Sequence, residues 1–201
     1  MKFTTEQKRF LLTLARDTIR AALEEQSLPQ VRVEEDSILA KPCGVFVTLH
    51  KNGALRGCIG SLIGEKPLYI TVQQMALEAA FRDPRFHPLT KEELLSIEIE
   101  ISVLSPLQRI TNVEQIEVGK HGIFLVKGFH RGVLLPQVAT EYGWDRYTFL
   151  DHTCLKAGLT PGCWRSGAEI YIFSAEIFSE KDFQEQDTSL PESLSTINRT
   201  T

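Results

Sequence analysis

Apolar residues along this chain recur with two different periods. Over residues 4–25, Leu11, Leu14, Ala15, Thr18, Ala22 and Leu23 fall at three- and four-residue spacing, which predicts an amphipathic helix. Thr4 followed by Gln7 fits a capping box at its start. Residues 44–50 (GVFVTLH) then read as a strand, and 55–62 as the returning strand of a hairpin. Between them stands Asn52-Gly53, the pair that a tight turn with two positive φ angles prefers. Pro67 opens a second helix, where a missing N–H costs nothing, with Leu68, Val72, Met75, Ala76 and Ala79 as its apolar stripe. Pro84 ends that helix by disfavouring helical geometry at Asp83.

The second half of the chain repeats the two rhythms. Thr90-Lys91-Glu92-Glu93 fits a short capped helix. Ile97, Ile99, Ile101 and Val103 alternate with Glu98, Glu100 and Ser102, the period-two pattern of a half-buried strand. Its carboxylates read first as a solvated face, with Glu100 available to chemistry if that face lines a cleft. Residues 123–126 and 133–135 predict two further strands, 136–141 and 145–157 two helices, and 170–178 a last alternating strand. Hairpins and single strands between helices, with no regular β-α alternation and no GxGxxG or GxxxxGK[ST] segment, predict an α+β fold with mainly antiparallel sheet. From residue 184 the chain is polar and aperiodic, which predicts a disordered tail over 184–201.

Composition narrows the class. The chain has 201 residues, 42% of them hydrophobic, and a net charge of -4. It can bury a core, and its charge argues against binding nucleic acid through a basic surface. No run of 18 apolar residues exists, so no membrane span is expected. The first 20 residues lack the uninterrupted apolar segment of a secretion signal. Cys43, Cys58, Cys154 and Cys163 therefore read as reduced thiols in a cytoplasmic protein. No CxxC, HExxH or H-x₃₋₅-H spacing is present, so no metal site is expected; no cofactor is indicated.

Candidate chemistry gathers at Leu55-Arg56-Gly57-Cys58-Ile59-Gly60. Strand alternation puts Arg56 and Cys58 on one face, and a neighbouring guanidinium favours thiolate, which predicts a Cys58 pKa below the ordinary ~8.5. Gly57 and Gly60 suggest a close approach by backbone or ligand. The opposing reading is that Cys58 is a small buried hydrophobe. Among five histidines, His121, between Gly119 and Gly122, is the preferred acid/base partner for a thiol. Lys120, Lys127, Arg131, Arg82 and Arg85 could meet an anionic substrate, although exposed basic residues need no such role. Trp144, Trp164 and Cys154 read as packing residues.

LRGCIG, then DPRFHPLT, VGKHGI and LLPQVATEYGW, in that order, resemble the AMMECR domain family over about residues 5–180. Its bacterial and archaeal members are similar to protein A of the AmmeMemoRadiSam system. The resemblance implies two lobes with the LRGCIG segment near a cleft between them. The larger lobe would comprise 1–108 plus 169–183, and the smaller would be an insertion at 109–168. It also implies a Memo-like protein and a radical S-adenosylmethionine protein as partners, and it fixes no activity. Gln137 stands where some members carry Glu, and His87 where they carry Pro, so neither is an obligatory family residue. Three readings stay open. One is a thiol enzyme using Cys58, Arg56 and His121 as catalytic residues, with Gly57, Gly60, Arg85 and Glu100 binding the substrate. The second is a non-catalytic binding module, and the third a packing motif.

Overall fold

The computed structural model describes residues 2–183. Helix α1 (Thr5–Leu23) begins with the expected box: the Thr4 hydroxyl accepts from Gln7 N–H while the Gln7 side chain accepts from Thr4 N–H. Strands β1 (Val45–Lys51) and β2 (Ala54–Ser61) form the expected hairpin, with φ of 53° at Asn52 and 79° at Gly53. Helix α2 (Leu68–Phe81) and strand β3 (Ile97–Leu104) follow. Then come β4 (Gln108–Ile110), β5 (His121–Lys127), β6 (His130–Leu134), α3 (Pro136–Glu141), α4 (Arg146–Lys156) and β7 (Glu169–Ser179).

The fold is α+β. The strands form an antiparallel sheet in the order β2-β1-β3-β7-β5-β6, and β4 pairs with the start of β7 on the edge opposite β5. The eleven residues of β7 serve both halves: Ala175–Ser179 pair with β3, and Glu169–Ser174 with β5. Period-two alternation sends Val45, Val47 and Leu49 of β1 and Ile97, Ile99, Ile101 and Val103 of β3 to one face. There they pack against Leu11, Ala15 and Ile19 of α1 and Leu68, Val72 and Ala76 of α2. A second cluster joins Ile110, Ile116, Ile123, Phe149, Leu150, Ile170 and Ile172, with Trp144 and Trp164 packed on it. The opposite face of β1 and β3 is polar over Thr48, His50, Glu98 and Glu100 and turns apolar beyond them, where Ser102 stands opposite Phe46 and Leu104 follows.

Two local expectations are corrected. Residues 91–96 form consecutive turns rather than a capped helix. The Glu93 carboxylate accepts from Thr90 N–H but is also drawn outward to Lys51 and Arg56, so the helix-start pattern serves an ion cluster. Not all four cysteines are thiols: Cys154 and Cys163 form a disulfide. Helix α4 ends at Lys156 and the chain doubles back through Gly158 and Gly162, both at positive φ. That brings the two Cα atoms to 5.9 Å, within bridging range. The expected tail, 184–201, lies outside the described residues.

Packing of α2 on the hairpin depends on Gly57. A β-carbon there would lie 2.2 Å from the carbonyl oxygen of Ala79, and backbone cannot swing aside as a side chain can. Gly57→Ala should therefore lower stability by about 1–3 kcal/mol through overpacking. The check is the urea midpoint of the variant against the parent; an unchanged midpoint would mean that α2 does not sit on this strand.

Candidate functional site

The site begins at an edge. Among the described residues β2 ends the sheet, so one side of its backbone has no strand partner there. The segment after α2 supplies partners from side chains instead. Asp83 Oδ2 accepts from the Cys58 N–H at 2.9 Å, and Arg85 Nη2 donates to the Cys58 carbonyl at 3.2 Å. Arg85 also grips Asp83 with Nε at 2.9 Å and Nη2 at 2.6 Å, and its own N–H donates to Oδ1. This two-point pairing is the strong form of an Arg–carboxylate contact. Asp83 is 4% exposed. Its carboxyl is held far below the usual range by the Arg85 hydrogen bonds, against the opposing effect of burial.

A second clamp holds the strand two residues earlier. Arg56 donates through Nε and Nη2 to both oxygens of Glu93 and through Nη2 to the His87 carbonyl. Lys51 reaches the same carboxylate at 2.9 Å. The Arg56 hydrogen bonds, with Lys51 adding to them, hold Glu93 down at about 2.

On the polar face, Cys58 of β2, Thr48 of β1, Glu100 of β3 and Ser179 of β7 are register partners in one cross-strand row. Neighbours in such a row stand about 5 Å apart. The Thr48 hydroxyl donates to Cys58 Sγ at 3.3 Å. Burial pushes the Cys58 thiol up; the Thr48 bond and the Arg85 charge oppose it, and Asp83 and Glu100 reinforce it. Burial likewise pushes the Glu100 carboxyl up, with the charges of Glu141, Glu98 and Asp182 adding and His50 opposing. Thiol and carboxyl are thus both biased toward their protonated, neutral forms. Ser102, two residues along from Glu100, is buried and its Oγ has no hydrogen-bond partner among the described residues. Leaving such a group unsatisfied costs about 1–3 kcal/mol.

Of the residues expected to act, the structure brings Cys58, Arg85 and Glu100 together and leaves two apart. Arg56 does not activate the thiol. β2 carries a bulge here, with Gly57 opposite Leu49 and Leu55 opposite His50. Arg56 is the extra residue, which breaks the alternation that would have put it beside Cys58. Its side chain goes to Glu93, and the guanidinium acting on Cys58 belongs to Arg85. The expected lowering of the Cys58 pKa gives way to a rise, because burial outweighs the Thr48 bond and the Arg85 charge. His121 stands on β5, with β7, β3 and β1 between it and β2 in the sheet order, and its Nδ1 accepts from the Glu117 N–H. Gly57 and Gly60 make room for the protein itself: Ala79 O fills the space beside one and the Phe46 ring the space beside the other. Arg85 is engaged by Asp83 rather than left for an anion. Thr48, Asp83, Ser102 and Glu93 were not among the expected site residues. Only Asp83 carried a local signal, its place between Arg82 and Pro84 at a helix end.

Comparison with known proteins decides the family: the AMMECR1 family model matches residues 12–178. The chain belongs to the AMMECR1 family. A Methanosarcina barkeri relative is 43% identical over 187 residues, covering 89% of this chain and 93% of that protein. A Methanopyrus kandleri relative is 44% identical over 196 residues, covering 90% and 92%. Among solved structures, the uncharacterized protein PH0010 of Pyrococcus horikoshii superposes with a TM-score of 0.82 at 39% identity, covering 90% of this chain and 95% of that one. This AMMECR1-family chain thus carries the LRGCIG segment on an edge strand clamped by Asp83 and Arg85.

Two outcomes follow from these electrostatics. Alkylation of folded Cys58, followed by mass spectrometry against pH, should be slow at pH 7 and rise only above the range of an ordinary thiol. Arg85→Met should move that rise to still higher pH, and Arg56→Met should leave it in place. Separately, Glu93 titrates lower in the folded chain than its usual ~4.3. Its contribution to stability is therefore complete above that value and lost as pH falls toward about 2. Glu93→Gln should remove about 1–3 kcal/mol from the acid-dependent part of stability between pH 4.5 and 2, read from denaturation midpoints at each pH. An acid limb identical to that of the parent would refute the assignment.

Proposed function

We propose that this AMMECR1-family protein is a thiol-dependent enzyme, or an enzyme component, acting on a small substrate at the polar face of β1–β3. The observation that carries this reading is the row Cys58–Thr48–Glu100, with the Thr48 hydroxyl bonded to the sulfur. A nucleophile, an orienting hydroxyl and a carboxyl with a raised pKa are the parts that acyl- or alkyl-type transfer requires. In the proposed step, sulfur bonds to the electrophilic carbon of the substrate as that carbon's bond to the leaving group breaks, and the Cys58 proton passes through one bridging water to the Glu100 carboxylate, which stands beyond Thr48 in the row. Glu100 then returns that proton to the leaving group. Burial and the neighbouring carboxylates raise the Glu100 pKa, the direction that favours its holding the proton before returning it. The neutral thiol keeps Cys58 quiet until substrate arrives, and Arg85 lies on the side where developing thiolate charge would be stabilised.

A second reading has its own support. The Asp83–Arg85 clamp and the Gly57 contact give the LRGCIG segment a packing role that needs no chemistry. In that reading the face is a binding surface, used with the Memo-like and radical S-adenosylmethionine partners that the family resemblance implies.

The test is turnover of a panel of small thioesters and activated esters, with Cys58 adducts followed by mass spectrometry. A transient adduct at Cys58 that Cys58→Ser abolishes, and that forms about 10²-fold more slowly in Glu100→Gln, is the expected result. If Cys58 forms no adduct in the folded protein with any of them, the enzyme reading fails and the binding module stands.

A further inference from the structure

The two edges of the sheet are treated differently. At β2 the outward N–H and C=O of Cys58 are taken by Asp83 and Arg85. β6 is the other edge among the described residues. The two-residue turn Gly128-Phe129 makes Lys127 and His130 a hydrogen-bonded pair. Bonded and non-bonded pairs alternate along an antiparallel ladder. Gly132 and Leu134 therefore also bond to β5, while the N–H and C=O groups of Arg131 and Val133 point outward. No loop backbone and no side chain takes those groups among the described residues. A row of open backbone groups is a template for another extended chain.

The side chains beside this edge select the chain that fits. Arg131 and Val133 lie on the face that carries their register partners Val126 and Phe124. Helix α4 packs on the other face, where a β-carbon on Gly132 would lie 2.4 Å from the Thr153 carbonyl oxygen, so the side of Arg131 stays open. Residues 118–140 contain no Asp or Glu. Arg131 is exposed and makes no ion pair among the described residues. Lys127 donates to the Cys163 carbonyl, and His130 Nδ1 bonds the Ala157 carbonyl beside Lys156. Glu169 stands in the row Arg131–Val126–Glu169, but Arg109 and the Tyr171 hydroxyl already engage it. A second copy paired on this edge about Gly132 would bring the two Arg131 side chains to diagonal positions, about 7–8 Å apart with like charge. A carboxylate there would instead meet an unpaired guanidinium.

We propose that the β6 edge docks an extended acidic segment of another protein, antiparallel to β6, with a carboxylate side chain opposite Arg131 and an apolar side chain opposite Val133. Main-chain bonds to Arg131 and Val133 hold the segment, and Arg131 selects its charge. Phe129, fully exposed at the turn, offers an apolar contact where the docked strand runs past the hairpin tip. The site is separate from Cys58 and stands whether or not the thiol reacts.

The experiment titrates the full-length protein with the peptide acetyl-Thr-Val-Thr-Glu-Thr-Val-Thr-amide, whose first Val and Glu match Val133 and Arg131. It follows the Arg131 and Val133 amides by two-dimensional NMR. Saturable shifts and slowed hydrogen exchange at both amides are expected. The peptide with Lys in place of Glu should bind about fivefold more weakly. The Glu peptide N-methylated at its first Val and at Glu should not bind, since it cannot donate to the edge carbonyls. Arg131→Gln, a change at an exposed position, should weaken the Glu peptide about two- to fivefold and erase the preference over Lys. The inference is overturned if neither amide shifts, if the Lys or the N-methylated peptide binds as well as the first, or if Arg131→Gln keeps the preference. It is also overturned if both amides are already protected in the free chain, or become so with rising protein concentration. The edge would then be covered by the chain's own residues or by a second copy.

Discussion

Asp83 holds the edge of the sheet. An edge strand normally presents unpaired N–H and C=O groups to solvent. At Cys58 both are taken, the N–H by Asp83 and the C=O by Arg85. The buried carboxylate is tolerable because Arg85 pairs with it twice and backbone N–H groups supply the rest. Without that arrangement β2 would keep its bonds to β1 but lose its fixed position against the segment after α2. The thiol sits directly on the clamped peptide, so its orientation is a consequence of Asp83. The Glu93 cluster does the same for Arg56 two residues earlier, and Gly57 lets α2 press against the strand between the two clamps.

The periodic elements were legible because their signals are local. The capping box at Thr4, the Asn52-Gly53 turn and the alternation of residues 97–103 each depend on a few adjacent residues, and each appears as read. What was not legible depends on partners far along the chain. The bulge at Arg56 leaves no composition signal, yet it moves a guanidinium from the thiol to Glu93, 37 residues away. Thr90–Glu93 has the letters of a helix start, but its carboxylate is claimed by Lys51 and Arg56 from the hairpin. The Cys154–Cys163 bridge follows from how the chain turns at Gly158 and Gly162, and a compartment argument from composition could not see it. Glu100 was legible only on the condition that its face lines a cleft; its half-burial depends on the fold and could not be read from sequence.

The polar face reverses the usual picture of an activated cysteine. A low thiol pKa comes from a nearby cation in a partly exposed setting. Here burial dominates, the nearest guanidinium is already paired, and two carboxylates lie within electrostatic reach of the sulfur. Glu100 feels the same burial together with its acidic neighbours. The face is therefore most stable with few net charges on it. Thiol and carboxyl are coupled in this way: the Glu100 charge adds to the upward push on the Cys58 thiol.

That coupling is assembled from two parts of the chain, and β7 joins them. Phe178 packs into the cluster under α1 and α2, while Ile170 and Ile172 pack into the cluster that holds Phe149 and Leu150. Ser179 is the register partner of Glu100, and just beyond it Glu180 accepts from the Ile99 N–H at 2.8 Å and pairs with Arg16 of α1. The position of β3 relative to α1 is thus fixed by the end of the same strand whose beginning carries β4 and β5. Helix α3, which bears Gln137 and Glu141, follows β6 and so hangs on that far half of the sheet. Any displacement of one half against the other along β7 would change the approach of α3 to Glu100 while leaving the Cys58–Thr48 pair intact. The sulfur and its hydroxyl partner belong to the hairpin alone, whereas the Glu141 share of the charge around Glu100 depends on both halves keeping their register on β7.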